Sequence, residues 1–404
     1  MKDLLENKTI VLGVTGSIAA YKMANVASML VKRGCQVHVI MTENATNFIN
    51  PITFETLTNH KCLVDTFDRN FQFHVAHVSL AKQADAFLIA PASANVIGKM
   101  ANGIADDMLT TTVLAATCPV LVAPAMNTHM FENQIVQDNI QKLKHYGVTM
   151  IEPAVGYLAC GDSGKGKMPS EEYLIACLER EIAKEKDLKG KTILVTAGAT
   201  REAMDPVRYI TNHSTGKMGY AIAKMAMLRG AEVILITGKT TIPKPKFVQV
   251  IEVTSAEEMF CEVTKRMQKV DEFFLSAAVA DYTPETVATQ KIKKKDLELT
   301  LQLKRTKDIL AYLGEHKKTN QKICGFSMET EDVIENSKKK REKKNADMIA
   351  ANSLCEKGAG FGTETNHLVL ITESEVVDLP LLKKEEAADR LLTEFQKVFS
   401  RESK

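Results

Sequence analysis

Residues 8–41, KTIVLGVTGSIAAYKMANVASMLVKRGCQVHVIM, decide the fold. A short β-rich run, Lys8–Gly13, turns at Gly16-Ser17 into a helical stretch that stops at Arg33-Gly34, and the strand Gln36–Met41 follows. Residues 191–237 repeat this layout, with a longer insert before Gly216-Lys217, a helix to Arg229-Gly230 and the strand Glu232–Thr237. Strand, glycine turn, helix, glycine stop and strand make the βαβ unit of a parallel sheet. Further buried-strand candidates are Ala86–Ala90, Val120–Ala123, Val148–Ile151, Glu272–Ser276 and Lys322–Ser327, with helical stretches such as Asp106–Thr117 and Asn133–His145 among them. The fold class is α/β, as two Rossmann-like parallel-sheet domains. Between them Glu179–Lys191 (EREIAKEKDLKGK) is almost entirely charged or small, the composition of a helix end and linker. A boundary near 187 gives domains 1–187 and 188–404. Ligands of such sheets sit beyond the carboxyl ends of the strands, so the chemistry is expected in the loops there.

Composition narrows the class. The chain has 404 residues, 45% hydrophobic and 25% charged, with a formal net charge of +2, too balanced for a general nucleic-acid or membrane binder. Its best apolar run, Val113 to Met126, is interrupted by Pro119 and Pro124, so no membrane-spanning helix is expected. The opening MKDLLENK carries acids where a secretory signal would be basic. Eight cysteines without a CxxC fit neither a disulfide framework nor a zinc site, and a reduced, cytoplasmic setting is expected.

In the first half, Gly13-Val-Thr-Gly16-Ser17-Ile18 ends a strand and opens a helix, where free N–H groups and close backbone approach suit a phosphate. It is not GxGxxG, yet Glu43 stands after the second strand where a ribose-binding acid would, so nicotinamide binding remains an alternative, as does a plain tight turn. Pro91-Ala-Ser93-Ala-Asn95 brings small and hydroxyl residues suited to a flat polar ring. Pro124-Ala-Met-Asn127-Thr-His-Met130 follows the next strand, and residues 156–168 hold four glycines in thirteen, expected as a mobile flap.

These residues resemble the homo-oligomeric flavin-containing cysteine decarboxylases, specifically the flavoprotein half of bifunctional coenzyme A biosynthesis proteins. The resemblance rests on His77 in His-Val-Ser-Leu-Ala-Lys, the PxMNxxM box at Pro124–Met130, and Ala-Cys-Gly-Asp at 159–162. Phe131 stands where the family box usually has tryptophan. The resemblance implies a flavodoxin-like fold and FMN. A cysteinyl carboxylate has no electron sink. Oxidation of the thiol-bearing carbon, with hydride passing to flavin, supplies one, and the hydride returns after CO2 leaves. The resemblance further implies that Cys160 is the proton donor, that Asn127 binds the substrate carboxylate, and that His77 serves the oxidative step. Unmatched, His77 would read as an ordinary surface histidine. Flavin contacts are expected at Gly16, Ser17, Thr42, Ser93 and Asn95. The resemblance also implies that the Asp106–Met108 region completes the site from a neighbouring subunit.

The second half has two glycine-lysine pairs, but a phosphate loop would need glycine at Thr211 or Val233, so neither is a Walker motif. Its other segments are Arg208, YITNHSTGKMG at 209–219, AAVADY at 277–282, KIKKK at 291–295, Lys307–Leu310, Phe326, and Lys338–Asn345. A lysine run alone reads as readily as a solvated helix face or nucleic-acid patch as it does as part of a site. Here both runs lie beside strand-end loops with acids interleaved and no aromatic platform. Joining a carboxylate to an amine through a nucleoside triphosphate brings two anions together, and lysines with Mg²⁺ relieve that repulsion. This half resembles phosphopantothenate–cysteine ligases. The resemblance implies that Lys291 serves acyl-cytidylate formation from CTP and Asn212 its later conversion. By the same resemblance Ala277, Asp281, Lys291, Phe326, Lys340 and Lys344 hold the nucleotide, helped by backbone at Lys307, Asp308, Ile309 and Leu310. Residues after about 375 read as a terminal amphipathic helix and tail.

Together the resemblances imply ligation of 4′-phosphopantothenate with cysteine, then decarboxylation to 4′-phosphopantetheine. Trimeric flavin domains and dimeric ligase domains, in a dodecamer, are implied too. The rivals are a two-domain NAD(P)-dependent dehydrogenase and a flavin-binding regulatory subunit without catalysis.

Overall fold

The run at 9–14 is a strand because β-branched and aliphatic residues follow one another there without a helix former of matching period. In a computed structural model, which describes residues 3–67, 76–157, 161, 163–293, 299–329, 331–353, 360 and 362–402, it is an inner strand of a five-stranded parallel sheet. The chain divides into two units, residues 2–184 and 185–404. In the first, β1 (Thr9–Val14), β2 (Gln36–Met41), β3 (Ala86–Ala92), β4 (Val120–Pro124) and β5 (Thr149–Met150) lie in the order 2-1-3-4-5, every pair parallel. That is the order of flavodoxin-like sheets, whose switch point lies between β1 and β3. All seven residues of β3 are buried, as expected of a strand covered on both faces. After β5 the expected flap is an antiparallel hairpin, β6 (Ala154–Tyr157) and β7 (Ser163–Lys167).

The second unit runs β8 (Thr192–Ala197), the hairpin β9 (Arg201–Ala203) and β10 (Tyr209–Thr211), β11 (Glu232–Thr237), β12 (Gln249–Glu252) and β13 (Glu272–Leu275). It continues through the hairpin β14 (Tyr282–Pro284) and β15 (Leu303–Arg305) to β16 (Lys322–Glu329) and β17 (Met348–Ser353). The pair β18 (Thr365–Asn366) and β21 (Leu382–Lys383) brackets β19 (Val369–Ile371) and β20 (Val376–Asp378). The main sheet is ordered β12-β11-β8-β13-β16-β17-β19-β20. Counted within the unit its first six strands are 3-2-1-4-5-6, the order of dinucleotide-binding sheets, and antiparallel β19 and β20 extend the edge.

The C-terminal segment is more than a tail. It forms the helix Lys384–Glu402, and Phe395 packs against Phe274 of β13 with ring centroids 4.8 Å apart. Arg229, at the end of the helix Lys217–Leu228, pairs with Asp187 and donates to Thr393 Oγ1 at 3.0 Å. Truncating a buried ring such as Phe395 costs about 3–5 kcal/mol, so this helix is part of the second core.

Candidate active sites at the two switch points

In the first unit Thr15, 0% exposed, follows β1. Its hydroxyl donates to the Pro91 carbonyl at 2.7 Å and accepts the Ser93 N–H at 2.9 Å. One side chain thereby ties the loops after β1 and β3 together across the switch point. Around it, Ser17 caps the short helix Ile18–Tyr21, and Ser93 caps the helix Ala94–Ala101; both accept at a long 3.4 Å. Asn95 is exposed in the first turn of the latter. Thr42, at the end of β2 and 8% exposed, has a buried hydroxyl with no partner among the described residues. A Cβ on Gly16 would lie 2.8 Å from that of Asn44, so the turn leaves room for no side chain there. An orphaned hydroxyl, two weakly held ones and a bare glycine turn fit the phosphate and ring edge of FMN. Met108 differs from its expected place: its side chain lies in the hydrophobic core with Val96, Ile97 and Leu109. It follows the Asp107 capping box that starts the helix Met108–Leu114.

The box after β4 and the flap meet. Asn127 caps the helix Thr128–Glu132, its Oδ1 accepting the His129 N–H at 2.8 Å. The Met126 N–H donates to the Gly166 carbonyl at 3.0 Å. Gly166 sits at φ +124°, where a Cβ would collide with the Met126 carbonyl oxygen, and a Cβ on Gly164 would lie 2.6 Å from Thr128 Oγ1. The flap is therefore rooted on the loop that carries Asn127. Cys160 lies outside the described residues. His77 is half-buried on the helix Ala76–Gln83. Phe131 is buried in the domain core, so the aromatic packing of the box is retained.

In the second unit a cleft of about 760 Å³ opens at the carboxyl ends of β8, β13 and β16. The loop after β13 is held from several sides. The Thr196 hydroxyl accepts from Ala277 N at 3.2 Å, the Thr200 hydroxyl from Ala280 N at 3.0 Å, and the Thr306 hydroxyl donates to the Ala280 carbonyl at 2.6 Å. Asn212 donates its amide to the Ala278 carbonyl at 3.1 Å. Ala277, Asp281, Lys307, Asp308, Ile309, Leu310, Phe326, Lys340 and Lys344 all line the cleft. Asp308 caps the helix Ile309–His316 and pairs with Lys344 at 2.5 Å. Burial pushes its carboxyl up, but Lys344, the Ala311 N–H and Lys340 outweigh that and hold it below the usual range. Lys340 donates to the Phe326 carbonyl at 3.0 Å. Lys307 turns its ammonium to Glu257 at 2.7 Å.

Asn212 and Lys291 are not among the cleft-lining residues. Lys291 is exposed, beside an anchored backbone: Ile292 N donates to Asp205 Oδ2 at 3.1 Å, and Arg208 Nη2 donates to the Ile292 carbonyl at 2.6 Å. Burial would raise the Asp205 carboxyl, but Arg208 and three backbone N–H groups hold it well below the ordinary range. Sequence reasoning gave no role to Thr15 and Thr196, which look like strand residues, nor to Thr200, which follows the strand, nor to Lys217, Asn366 and Lys384, which line the cleft. Lys217 follows Gly216, a pair visible in the sequence but dismissed for want of a Walker motif.

Fold and sites together define a two-domain α/β protein with a neutral cradle suited to a flavin and a lysine-walled cleft suited to a nucleotide. Residues 1–183 match the Flavoprotein family, and residues 188–399 match the DNA/pantothenate metabolism flavoprotein C-terminal domain. The coenzyme A biosynthesis bifunctional protein CoaBC of Bacillus subtilis (strain 168) is 46% identical over 395 residues, 97% of each chain. Its counterpart in Escherichia coli (strain K12) is 39% identical over 393 residues, 96% of this chain and 97% of that one. A crystal structure of the C-terminal domain of a CoaBC protein is 41% identical, covers 54% of this chain and all of its own, and has a TM-score of 0.47. The chain belongs to the coenzyme A biosynthesis bifunctional protein family, which joins a decarboxylase to a ligase. Neither a nicotinamide dehydrogenase nor a non-catalytic regulatory subunit fits that membership.

Proposed function

We propose that the second unit couples 4′-phosphopantothenate to cysteine with CTP and Mg²⁺, and that the first decarboxylates the product to 4′-phosphopantetheine with FMN. In the first half-reaction the substrate carboxylate attacks the α-phosphorus of CTP, pyrophosphate leaves, and the cysteine amine then displaces CMP from the acyl-cytidylate. The observation that carries this reading is the cleft at the second switch point, where Lys340 and Lys344 line a nucleotide-sized space beside Asp281. Lys291 neutralises charge as the acyl-nucleotide forms, and Asn212 serves its conversion while bracing the Ala278 loop. Among the described residues no three His, Cys, Asp or Glu side chains cluster as metal ligands. Mg²⁺ would be carried by the nucleotide phosphates, and Asp281 and Asp308 are carboxylates of the cleft wall that would face it.

Bound FMN supplies reversible two-electron oxidation of the cysteinyl carbon. Gly16, Ser17, Thr42, Ser93 and Asn95 hold it, and backbone at Asp106–Met108 adds contacts from a neighbouring subunit. Asn127 orients the carboxylate that leaves as CO2, His77 assists the oxidative step, and Cys160 returns a proton. No helix among the described residues is long and apolar enough to cross a membrane. We expect the enzyme in the cytoplasm, as trimers of flavin units and dimers of ligase units within a dodecamer. The test is product analysis of the purified protein with 4′-phosphopantothenate, cysteine and Mg²⁺, supplying CTP and ATP in turn. CTP-dependent formation of CMP and 4′-phosphopantothenoylcysteine is expected; amide formation without nucleotide cleavage would contradict the reading.

A further inference from the structure

The pair Lys344-Asn345 closes a helix, and the assignments above use only its lysine. The helix Val333–Lys343 ends through backbone alone. Lys344 N donates to the Lys340 carbonyl at 3.0 Å, Asn345 N to that of Glu342 at 3.1 Å, and Ala346 N to that of Arg341 at 3.0 Å. Asn345 sits at φ +47°, the left-handed conformation in which helices commonly end and which glycine adopts most easily. Glycine would therefore serve this turn. Asparagine adds a side chain, and that side chain crosses to another helix, its Nδ2 donating to the Gly314 carbonyl at 2.7 Å. Gly314 lies in the last turn of the helix Ile309–His316, where carbonyls lack an intrahelical partner.

The two helices meet there at backbone distance. A Cβ on Gly314 would lie 1.9 Å from the Lys344 carbonyl oxygen and 3.3 Å from the Asn345 Cβ, so no side chain fits at 314. From this contact the Lys344 side chain runs back along the helix Ile309–His316 to its cap, Asp308, and meets it at 2.5 Å. Lys340, one turn earlier and on the same face as Lys344, donates to the Phe326 carbonyl at 3.0 Å. Asp308, Phe326, Lys340 and Lys344 all line the ligase cleft, whereas Gly314 and Asn345 are not among its lining residues. The Asp308 side chain is half exposed, and an ion pair open to solvent holds its long partner only loosely. That pair does not set the spacing of the two helices. The contact between Asn345 and Gly314 does, being short, neutral and made between one short side chain and backbone.

We propose that Asn345 is a positioning residue of the ligase. By clasping Gly314 it fixes the end of the helix Val333–Lys343 against the helix Ile309–His316, and so sets where Lys340 and Lys344 present their charges to the nucleotide. This rests on the ligase reading above and deepens it. Asn345 acts only through those lysines. Without the clasp the helix end swings as a unit, carrying both ammonium groups off their places beside Asp308 and Phe326, and the nucleotide loses part of its counter-charge.

The experiment measures KM for CTP, 4′-phosphopantothenate and cysteine, together with thermal midpoints, in the full-length protein. The variants are Asn345→Gly, Asn345→Asp, Lys344→Gln, and Asn345→Gly combined with Lys344→Gln. Asn345→Gly keeps the left-handed turn and removes the clasp; Asn345→Asp keeps the shape and sets a carboxylate oxygen against the Gly314 carbonyl. The expected result is a CTP KM raised about three- to tenfold in Asn345→Gly, as for one lost hydrogen bond, and further in Asn345→Asp. KM for the acid and for cysteine stays unchanged. In the Lys344→Gln background Asn345→Gly adds less than it does in the wild type, because the two residues act as one unit. Asn345 is exposed and glycine suits its turn, so Asn345→Gly keeps a near wild-type thermal midpoint and remains readable if Asn345→Asp fails to fold. An unchanged CTP KM in Asn345→Gly would overturn the proposal. So would full additivity with Lys344→Gln, or an equal loss against all three substrates with a lowered thermal midpoint, which marks a plain helix cap. Wild-type protein that forms no amide from CTP would instead overturn the ligase reading.

Discussion

The two switch points solve one backbone problem alike and then diverge. In the first unit Thr15 binds the loop after β3; in the second Thr196 and Thr200 bind the loop after β13. Each pins two loops that leave neighbouring strands in opposite directions, because an open crevice with free backbone ends would otherwise lose its shape. The side chains facing the crevice then differ. Thr42, Ser17 and Ser93 offer the first site neutral hydroxyls, which suit a cofactor that stays bound and cycles between charge states. Lysines wall the second, which suits anionic reactants that repel each other and must depart as products. The difference shows that the sheet supplies only a place for chemistry, and the strand-end residues decide which chemistry.

If the two sites are independent, damage to one should leave the other intact. Cys160→Ser should lower decarboxylation of supplied 4′-phosphopantothenoylcysteine by about 10²–10⁴-fold, the range for losing a general acid. Ligation, assayed by CMP release, should be unchanged. Lys291→Gln should give the mirror image, with ligation down on the order of 10²–10³-fold and decarboxylation retained. Loss of both activities in either variant would break the comparison.

Smaller effects sharpen it. Asp205 has a folded-state carboxyl pKa below its ordinary 3.8. Its ionised form therefore stabilises the second unit fully above about pH 4, and that contribution is lost as pH falls through the folded value. Asp205→Asn should be less stable than wild type at pH 7 and lose less on further acidification, as read by denaturant melts at pH 7, 4 and 3. Equal acid sensitivity would show that the Arg208 pairing is not what depresses the carboxyl. Thr42→Val should weaken FMN binding about 5–10-fold, one hydrogen bond's worth, without lowering the thermal midpoint of the flavin-free protein. The hydroxyl it removes has no partner to lose among the described residues. A fall in that midpoint with unchanged FMN affinity would make Thr42 structural.

Much of the fold was legible because each βαβ unit announces itself by period and glycine, as in residues 8–41 and 191–237. The three-residue strands β19 and β20 were not, since a run that short has no periodicity to read. The site residues quoted from motifs were legible where the motif is contiguous: Asp281 with Ala277, and Lys340 with Lys344, lie in the cleft wall. Lys384 was not. It sits among ordinary helix-surface charges in the sequence, and only the docking of the helix Lys384–Glu402 carries it inward. Thr15 and Thr196 were invisible for another reason, because a β-branched residue at a strand end satisfies strand propensity whether or not its hydroxyl clasps a loop.

The most direct test of two successive reactions in one chain is a time course with 4′-phosphopantothenate, cysteine, CTP and Mg²⁺, following CMP, 4′-phosphopantothenoylcysteine and CO2 together. Transient amide followed by CO2 and 4′-phosphopantetheine, with CO2 rising to equal CMP, is the predicted result. CO2 released ahead of CMP, or an amide that accumulates and never loses its carboxylate in the FMN-loaded protein, would contradict it.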